Sequence, residues 1–501
     1  MSSPPQGPTR HPLVYEINTR CWLRDLSDQH HQQIRLDTVP DAELNRWQTL
    51  GFTHIWLMGV WTTGPKSRSQ SLRHFLLESR GQRPPPVGGE EDFLGSPYAL
   101  QGYHVPAALG GAPGLHRFRE RLHARGLKLL LDFVPNHLGL DHPWIQDQPN
   151  LFVQSATSVH GAFLARTALG QRWLAHGRDP YFAPWVDTVQ LDYRQPATRN
   201  AMLRQLEALA PLCDGLRCDM AMLVTNDVFA RTWSSFPAPH SGPITEFWSE
   251  AIPRVKQMFP DFLFLAEVYW GLEPFLQSLG FDFTYHKTVY DHLVARRHPF
   301  LQQHLLQAPP AFLRASAHFL ENHDEPRIAS LLTPDEHRAA AWLILALPGM
   351  RLLHEGQLSG ARHPAGVHLA RRPAEDPHPD IRSFYEQFLE LLPATAVGRG
   401  EAKLLTPRHE RAEHSGAENI VAIEWQAATA RFDWAVVNLA PQRSHARITG
   451  STAPLQPQSW HIKNLLSHQQ FEMSGDTLRT HGLDLDLPAH AVQLWRFEPS
   501  G

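Results

Sequence analysis

Four segments of this chain begin as apolar runs and stop abruptly on charged or polar residues: LLLDFVPNH (129–137), GLRCDMAML (215–223), FLFLAEVYW (262–270) and AHFLENHDEPR (317–327). A short, nearly continuous apolar run is what a strand buried on both faces looks like, and parallel sheets are built from such strands. When several of them end in Asp, Glu, His or Arg, the polar tips gather at the C-terminal rim of a barrel, where chemistry is carried out. Any one segment also reads as a core strand that ends at a solvated acid. Four in one register constrain the fold far more tightly, and they single out Asp219, Glu267 and Asp324.

The rest of the chain supplies the alternation that such a barrel needs. VYEINTRCWL reads as a first strand, DAELNRWQTL as a helix and FTHIWLMGV as a second strand. GLHRFRERLHARG is an amphipathic helix closed by Gly126 ahead of the third strand. Helix and strand then alternate through FDFTYH as a weak sixth strand, SAHFLENHD as the seventh, GMRLLHEG as the eighth and RSFYEQFLELL as a closing helix. Residues 62 to 95, rich in Pro, Gly and Arg, read as a long surface loop over the barrel mouth. Residues 138 to 188 are irregular and rich in aromatics and His, and from about Ala396 short strand-like runs with turn signals suggest an all-β sandwich. The expected architecture is α/β: a (β/α)8 barrel made of residues 1–137 and 189–395, interrupted by the irregular stretch 138–188, and a C-terminal β-sandwich at 396–501. The last domain reads as a packing module, with carbohydrate binding as the alternative.

With 501 residues and a formal net charge of -4, the chain has room for two or three domains and no global field for nucleic acid or an anionic membrane. A neutral substrate fits better. The start MSSPPQGPTRHPLVYE has the character of neither a secretory signal nor an anchor, and the longest apolar run, AWLILALPGM (341–350), is too short to span a bilayer. Three cysteines, Cys21, Cys213 and Cys218, argue for reduced thiols, so a cytoplasmic protein is expected. Cys218 beside Asp219 reads as a buried structural residue, since alternation points it away from Arg217 and Asp219. The 31 histidines show no zinc-binding spacing.

The order and spelling of these motifs resemble glycoside hydrolase family 13, the alpha-amylase family. DFVPNH, GLRCD, the Glu of AEVYW and ENHD are similar to its four signatures; VQLDYRQP (189–196) resembles an additional motif before the second, and GSPYALQGY (95–103) the segment with its substrate-stacking tyrosine. The resemblance runs from about residue 12 to about residue 392, and it implies that residues 138–188 form a small inserted domain walling one side of the cleft. It implies that Asp219 is a nucleophile, Glu267 a general acid/base and Asp324 a third carboxylate that favours a distorted, positively charged transition state. It also implies that Tyr98, His137 and His323 hold the innermost sugar.

The residues themselves allow that chemistry. Two-step cleavage of a glycosidic bond needs an ionised carboxylate and a protonated carboxyl about 5 to 5.5 Å apart. Arg217 lies two residues before Asp219, so strand alternation points both the same way and a fixed cation faces the anion. Glu267 follows the apolar FLFLA, where burial raises a carboxyl toward the working pH. Asp132 is placed to brace Arg217. Trp61, Trp144, Trp185 and Trp270 fall in loops near the mouth but are left outside the site. Asn136 matches a calcium ligand of calcium-dependent relatives, yet Met222 and Leu223 stand where the family often has Lys-His. No cofactor is required for the chemistry, no metal ligand is assigned, and a structural calcium is left open. The eighth-strand segment LPGMRLLHEGQLSG lacks the family's usual tyrosines, which points to unusual specificity.

The expected function is retaining cleavage of alpha-glucosidic bonds in malto-oligosaccharides or short alpha-glucans, through a covalent glucosyl–Asp219 intermediate. A transglycosylase, a sucrose-active enzyme and a disaccharide isomerase remain open on the same fold. A non-catalytic barrel acting as a protein partner is a remote alternative. The partners expected are small neutral sugars, with no nucleic acid and no membrane.

Overall fold

The computed structural model describes residues 11–78, 89–237, 245–409, 415–428, 431–450 and 458–500. Eight parallel strands close a barrel: β1 (Leu13–Asn18), β2 (His54–Met58), β3 (Lys128–Phe133), β4 (Gly215–Cys218), β5 (Leu263–Ala266), β6 (Phe283–Tyr285), β7 (Ser316–Phe319) and β8 (Met350–His354). Each strand pairs with its neighbours in chain order, and β8 pairs with β1. The barrel interior is filled by Val14, Trp56, Leu130, Leu265, Tyr285, Phe319 and Leu352, all buried. Burying a large apolar side chain contributes about 1.5–3 kcal/mol, so this plug is a major part of the fold's stability.

Strand lengths explain where the acids stand. In the β4–β5 register Arg217 pairs with Leu265 and Cys218 with Ala266, so Asp219 and Glu267 are the next residue on each strand. The ladder continues through their backbones: Asp219 N–H donates to Phe133 O (2.8 Å) and Glu267 N–H to Cys218 O (3.0 Å). Both side chains therefore leave the barrel at one rim, held by regular hydrogen bonds rather than by free loops.

Three expectations are corrected. The first strand ends at Asn18, and TRCWL opens a helix, Thr19–His30, because the Asn18 side chain accepts from Cys21 N–H (3.3 Å) and caps it. The stretch from 62 to 95 is not all loop: Pro65–Glu78 is a helix, capped from outside by Asp141, which accepts from Lys66 N–H (2.9 Å) and Ser67 N–H (3.0 Å). Residues 79–88 of that stretch lie outside the described residues. The irregular region after β3 contains an antiparallel sheet in which Gly170–Ala175 lies between Gln154–Ser155 and Ala162–Thr167. Beside it, Thr188–Gln190 pairs with His137–Gly139.

Among the described residues the C-terminal region is β-structure apart from a 3-10 turn, Ala417–Asn419, and one short α-helix, Gly475–Thr480. Its main sheet runs, edge to edge, through Glu401–Leu405, Ile420–Ala428, Arg431–Asn438, Val492–Pro499, Ser459–Asn464 and Gln470–Ser474, with Ser444–Ile448 and Leu483–Leu487 as a separate ribbon. One face packs on that ribbon through Trp434, Trp460 and Leu485. The other face joins the barrel's own core through Val421, Ile423, Trp425 and Leu494. Between sheet and barrel lies the helix Pro334–Ala346, and Trp425 Nε1–H donates to Ala346 O (2.8 Å). This position accounts for the apolar run AWLILA, since a helix covered on both sides needs no polar face. Among the described residues no helix is long and apolar enough to cross a membrane.

Candidate active site

Tyr98, His137, Asp219, Glu267 and Asp324 all line one cavity of about 580 Å³ at the rim of the barrel. Arg217 and His323 are buried beneath its surface. Five of the seven candidate site residues thus line one concavity, and the other two touch them, Arg217 bonding to Asp219 and Glu267 and His323 to Tyr98.

Arg217 organises the centre. Its Nη1 donates to Asp219 Oδ1 (2.8 Å) and its Nη2 to Glu267 Oε2 (2.7 Å), while Asp132 Oδ1 lies 3.7 Å from Nη1. Asp132 is in turn held by Trp56 Nε1–H (3.2 Å) and Gly59 N–H (3.1 Å). The guanidinium also lies 5.3 Å from the Trp56 ring centre and 5.2 Å from that of Tyr98, an aromatic enclosure that favours a planar cation. Glu267 Oε2 accepts a second bond, from Met220 N–H (2.7 Å), and Tyr269 OH donates to Oε1 (2.9 Å).

A second ionic chain enters from β7. His323 Nδ1 lies 2.5 Å from Glu16 Oε1, and its Nε2 lies 2.7 Å from Tyr98 OH and 3.1 Å from Asp324 Oδ2. Burial alone would keep this imidazole neutral, but Asp324 and Glu16 raise it well above the usual histidine value. Asp324 shows the reciprocal effect. Partial loss of water opposes its ionisation, yet the charge on His323 outweighs that and holds the carboxyl at about 2. Its side chain remains 46% exposed, open to the cavity.

Five carboxyl groups (Glu16, Asp132, Asp219, Glu267, Asp324) share two cations, Arg217 and His323, so not all can ionise freely. Burial raises Glu267 to about 7, with Arg217 pulling it down and Asp219 and Asp324 adding to the rise. Burial also raises Asp219, against the pull of Arg217. His137 is held neutral, lowered to about 3 by burial. The arrangement thus offers an acid that carries its proton near neutrality beside two carboxylates in contact with cations.

Three members of this network are not legible in the sequence: Glu16, Tyr269 and the backbone of Met220. A lone acid in the buried strand LVYEIN was a signal for Glu16; Met220 has φ of 43°, which no sequence pattern announces. Of the four tryptophans, Trp61 is a core residue whose Nε1–H donates to Asp132 O (2.7 Å), and Trp144 packs on His142. Trp185 lines the cavity, and Trp270, 40% exposed, meets Tyr181 edge-on with ring centres 5.0 Å apart. Cys218 is fully buried and its thiol raised by that burial, which suits a structural role.

The surroundings of Asn136 do not fit calcium. Its Oδ1 accepts from Gln190 Nε2 (2.9 Å), which also donates to Asn136 O (2.8 Å), so an amide donor already occupies the oxygens that a cation would need. Met222 and Leu223 are buried and apolar, and among the described residues no group of three or more His, Cys, Asp or Glu is placed to hold a metal.

The model of the alpha-amylase catalytic domain matches residues 42–387. The chain belongs to the alpha-amylase family. Among curated relatives, the alpha-amylase MalA of Haloarcula japonica is 27% identical over 357 residues, covering 70% of this chain and 44% of that protein. Alpha-amylase 3 of Dictyoglomus thermophilum is 21% identical, covering 57% of this chain and 58% of that protein. The match thus spans about half the length of these relatives. The crystal structure of the maltogenic alpha-amylase AmyB from Thermotoga neapolitana superimposes with a TM-score of 0.65 at 18% identity, covering 98% of this chain and 99% of that one, a likeness of fold. For this alpha-amylase-family chain the fold likeness extends through the C-terminal sheet, well beyond residue 387.

Proposed function

We propose that this member of the alpha-amylase family cleaves alpha-glucosidic bonds of malto-oligosaccharides or short alpha-glucans with retention of configuration. One observation carries the reading: a single buried guanidinium, Arg217, holds Asp219 on one nitrogen and Glu267 on the other, on the wall of a cavity sized for a sugar. Carboxyl groups bridged by one guanidinium are near neighbours, which supports a two-step displacement over the inverting route and its gap of about 6.5–9.5 Å.

In the first step an Asp219 oxygen bonds to the anomeric carbon as the glycosidic C–O bond breaks, and Glu267 gives its proton to the departing oxygen. In the second, Glu267 takes a proton from water, whose oxygen bonds to the anomeric carbon and releases Asp219. Glu267 at about 7 suits both duties. Asp324, ionised and open to the cavity, stabilises the positive charge that develops on the ring. Tyr98 offers a ring face to the sugar, the neutral His137 supplies a hydrogen bond, and the buried His323 cation holds Tyr98 and Asp324 in place beside it. The relatives' standing as alpha-amylases supports the substrate class.

Exposed Tyr181 (66%), Phe182 (73%) and Trp270 (40%) favour a second reading in which a sugar hydroxyl replaces water in the second step, giving transfer instead of hydrolysis. Buried free cysteines, Cys21, Cys213 and Cys218, support a cytosolic setting. The test is Asp219→Asn with maltotriose: turnover falls by at least about 10⁴-fold, as for loss of a nucleophile, and the wild-type product first appears by NMR as the alpha anomer. Persistent turnover in the variant, or a beta anomer from the wild type, overturns the mechanism.

A further inference from the structure

One buried carboxyl group on the cavity wall has no part in the steps above. Asp187 is 7% exposed and lines the same cavity as Asp219 and Glu267. Ser71 donates to its carboxylate, and His74 lies close enough to act on it electrostatically; both also line the cavity. Among the described residues no lysine or arginine acts on it, and burial raises it to about 6. A carboxylate kept out of water without a cation is unfavourable unless donors reach it, and the cavity is the side from which donors can come.

The mounting of this group is built with care for position. Ser67, in the first turn of the helix that carries Ser71 and His74, donates to Asp187 O (2.8 Å) and accepts from Leu140 N–H (2.8 Å). Asp141 caps the same turn, and Gly64 is needed there, because a Cβ would lie 2.2 Å from Asp141. Asp187 immediately precedes the ladder in which Gln190 pairs with His137. Helix and ladder thus form one stitched wall. Asp219, Glu267 and Asp324 act on one another electrostatically, and none of them acts on Asp187. Asp187 therefore stands beyond the reacting ring, and its electrostatic neighbours lead to the Asp324 side of the centre: His74 acts on Asp187 and on His368, and His368 in turn feels Asp324.

We propose that Asp187, braced by Ser71 and His74, recognises the sugar ring next to the reacting one on the side away from Glu267, its carboxylate accepting two neighbouring hydroxyls. The inference rests on the glycosidase reading and adds the residue that selects for a second glucose unit on that side. An ionised carboxylate has about four acceptor sites, enough for Ser71 and two sugar hydroxyls together.

The test compares 4-nitrophenyl alpha-glucoside, which offers only the reacting ring, with 4-nitrophenyl alpha-maltoside, which adds a ring on that side. Asp187→Ala lowers the ratio of kcat/KM, maltoside over glucoside, by about 10- to 100-fold, the worth of hydrogen bonds to a charged group. The loss lies mainly in KM, and Ser71→Ala moves the ratio the same way by less. Where Asp187→Ala does not fold, Asp187→Asn reports the same ratio. An unchanged ratio, or a loss seen with maltotriose but not with the maltoside, removes Asp187 from this role. Asp219→Asn separates the two claims: if it silences both substrates, an unchanged ratio refutes Asp187 alone. If it does not, or if the wild type splits neither substrate, the glycosidase reading fails and this inference with it.

Discussion

Replacing Tyr269 by Phe probes where the acid keeps its proton. Glu267 Oε2 accepts two N–H bonds at 2.7 Å, from Arg217 and Met220, and an oxygen facing two such donors cannot itself carry a proton. The proton of neutral Glu267 therefore sits on Oε1, whose partner is the Tyr269 hydroxyl at 2.9 Å. Against ionised Glu267 that hydroxyl donates to an anion, a bond worth about 1.5–3 kcal/mol in a dry site. Tyr269 is half-buried, so water refills part of the loss. A net destabilisation of the anion by ~1.4 kcal/mol corresponds to a rise of about one pKa unit. The basic limb of kcat/KM, set by Glu267 at about 7, accordingly moves up to about 8 in Tyr269→Phe. The assay is a pH–rate profile on a chromogenic maltoside, with thermal unfolding as a check on the fold. A basic limb that stays in place or moves down refutes the placement of the proton on Oε1.

Other perturbations have equally definite outcomes. Glu16→Gln removes one of the two carboxylates that keep His323 charged, so the ¹⁵N signals of that ring titrate lower and kcat/KM falls by about tenfold; an unshifted titration contradicts the pairing. Chelation with EDTA leaves the melting temperature and rate unchanged, because Asn136 is committed to Gln190, whereas a structural ion at a hundred times its Kd would contribute ~2.7 kcal/mol. Acid weakens the fold through a buried histidine chain, in which His318 Nε2–H donates to Pro348 O (2.9 Å) and His286 bridges His318 (3.3 Å) and His304 (2.7 Å). Burial lowers His318 to about 4, so the unfolded chain binds its proton first. Stability is complete above about 6.5 and drains as pH falls toward about 4, by ~3 kcal/mol for this one group. Urea midpoints that do not fall between pH 7 and 5 rule this out.

The barrel was legible because buried parallel strands advertise themselves as apolar runs, and the charged residues that end them, Asp219 and Glu267, fall at their tips. What the chain concealed depends on distant partners. The helix Pro65–Glu78 has no clear apolar stripe, and the cap of its first turn, Asp141, comes from 75 residues away. The strands Ala162–Thr167 and Gly170–Ala175 are half-exposed, so their alternation is blurred. Leu483–Leu487 was there to be read, since LDLDL alternates and its burial alternates with it. The pairing of Asp219 with Arg217 followed from spacing, whereas the hold of Arg217 on Glu267 required the barrel's register.

The main C-terminal sheet shares one face with the core packed around the outside of the barrel strands, and Trp425 is bonded to the end of the helix Pro334–Ala346. A chain cut after residue 395 would leave the second half of that helix, Ala339–Ala346, apolar on every side, facing water along its outer surface. Shortened versions should therefore clump instead of folding as lighter catalysts. Exchange of tails between relatives would succeed only if this helix travelled with the sheet it was shaped against.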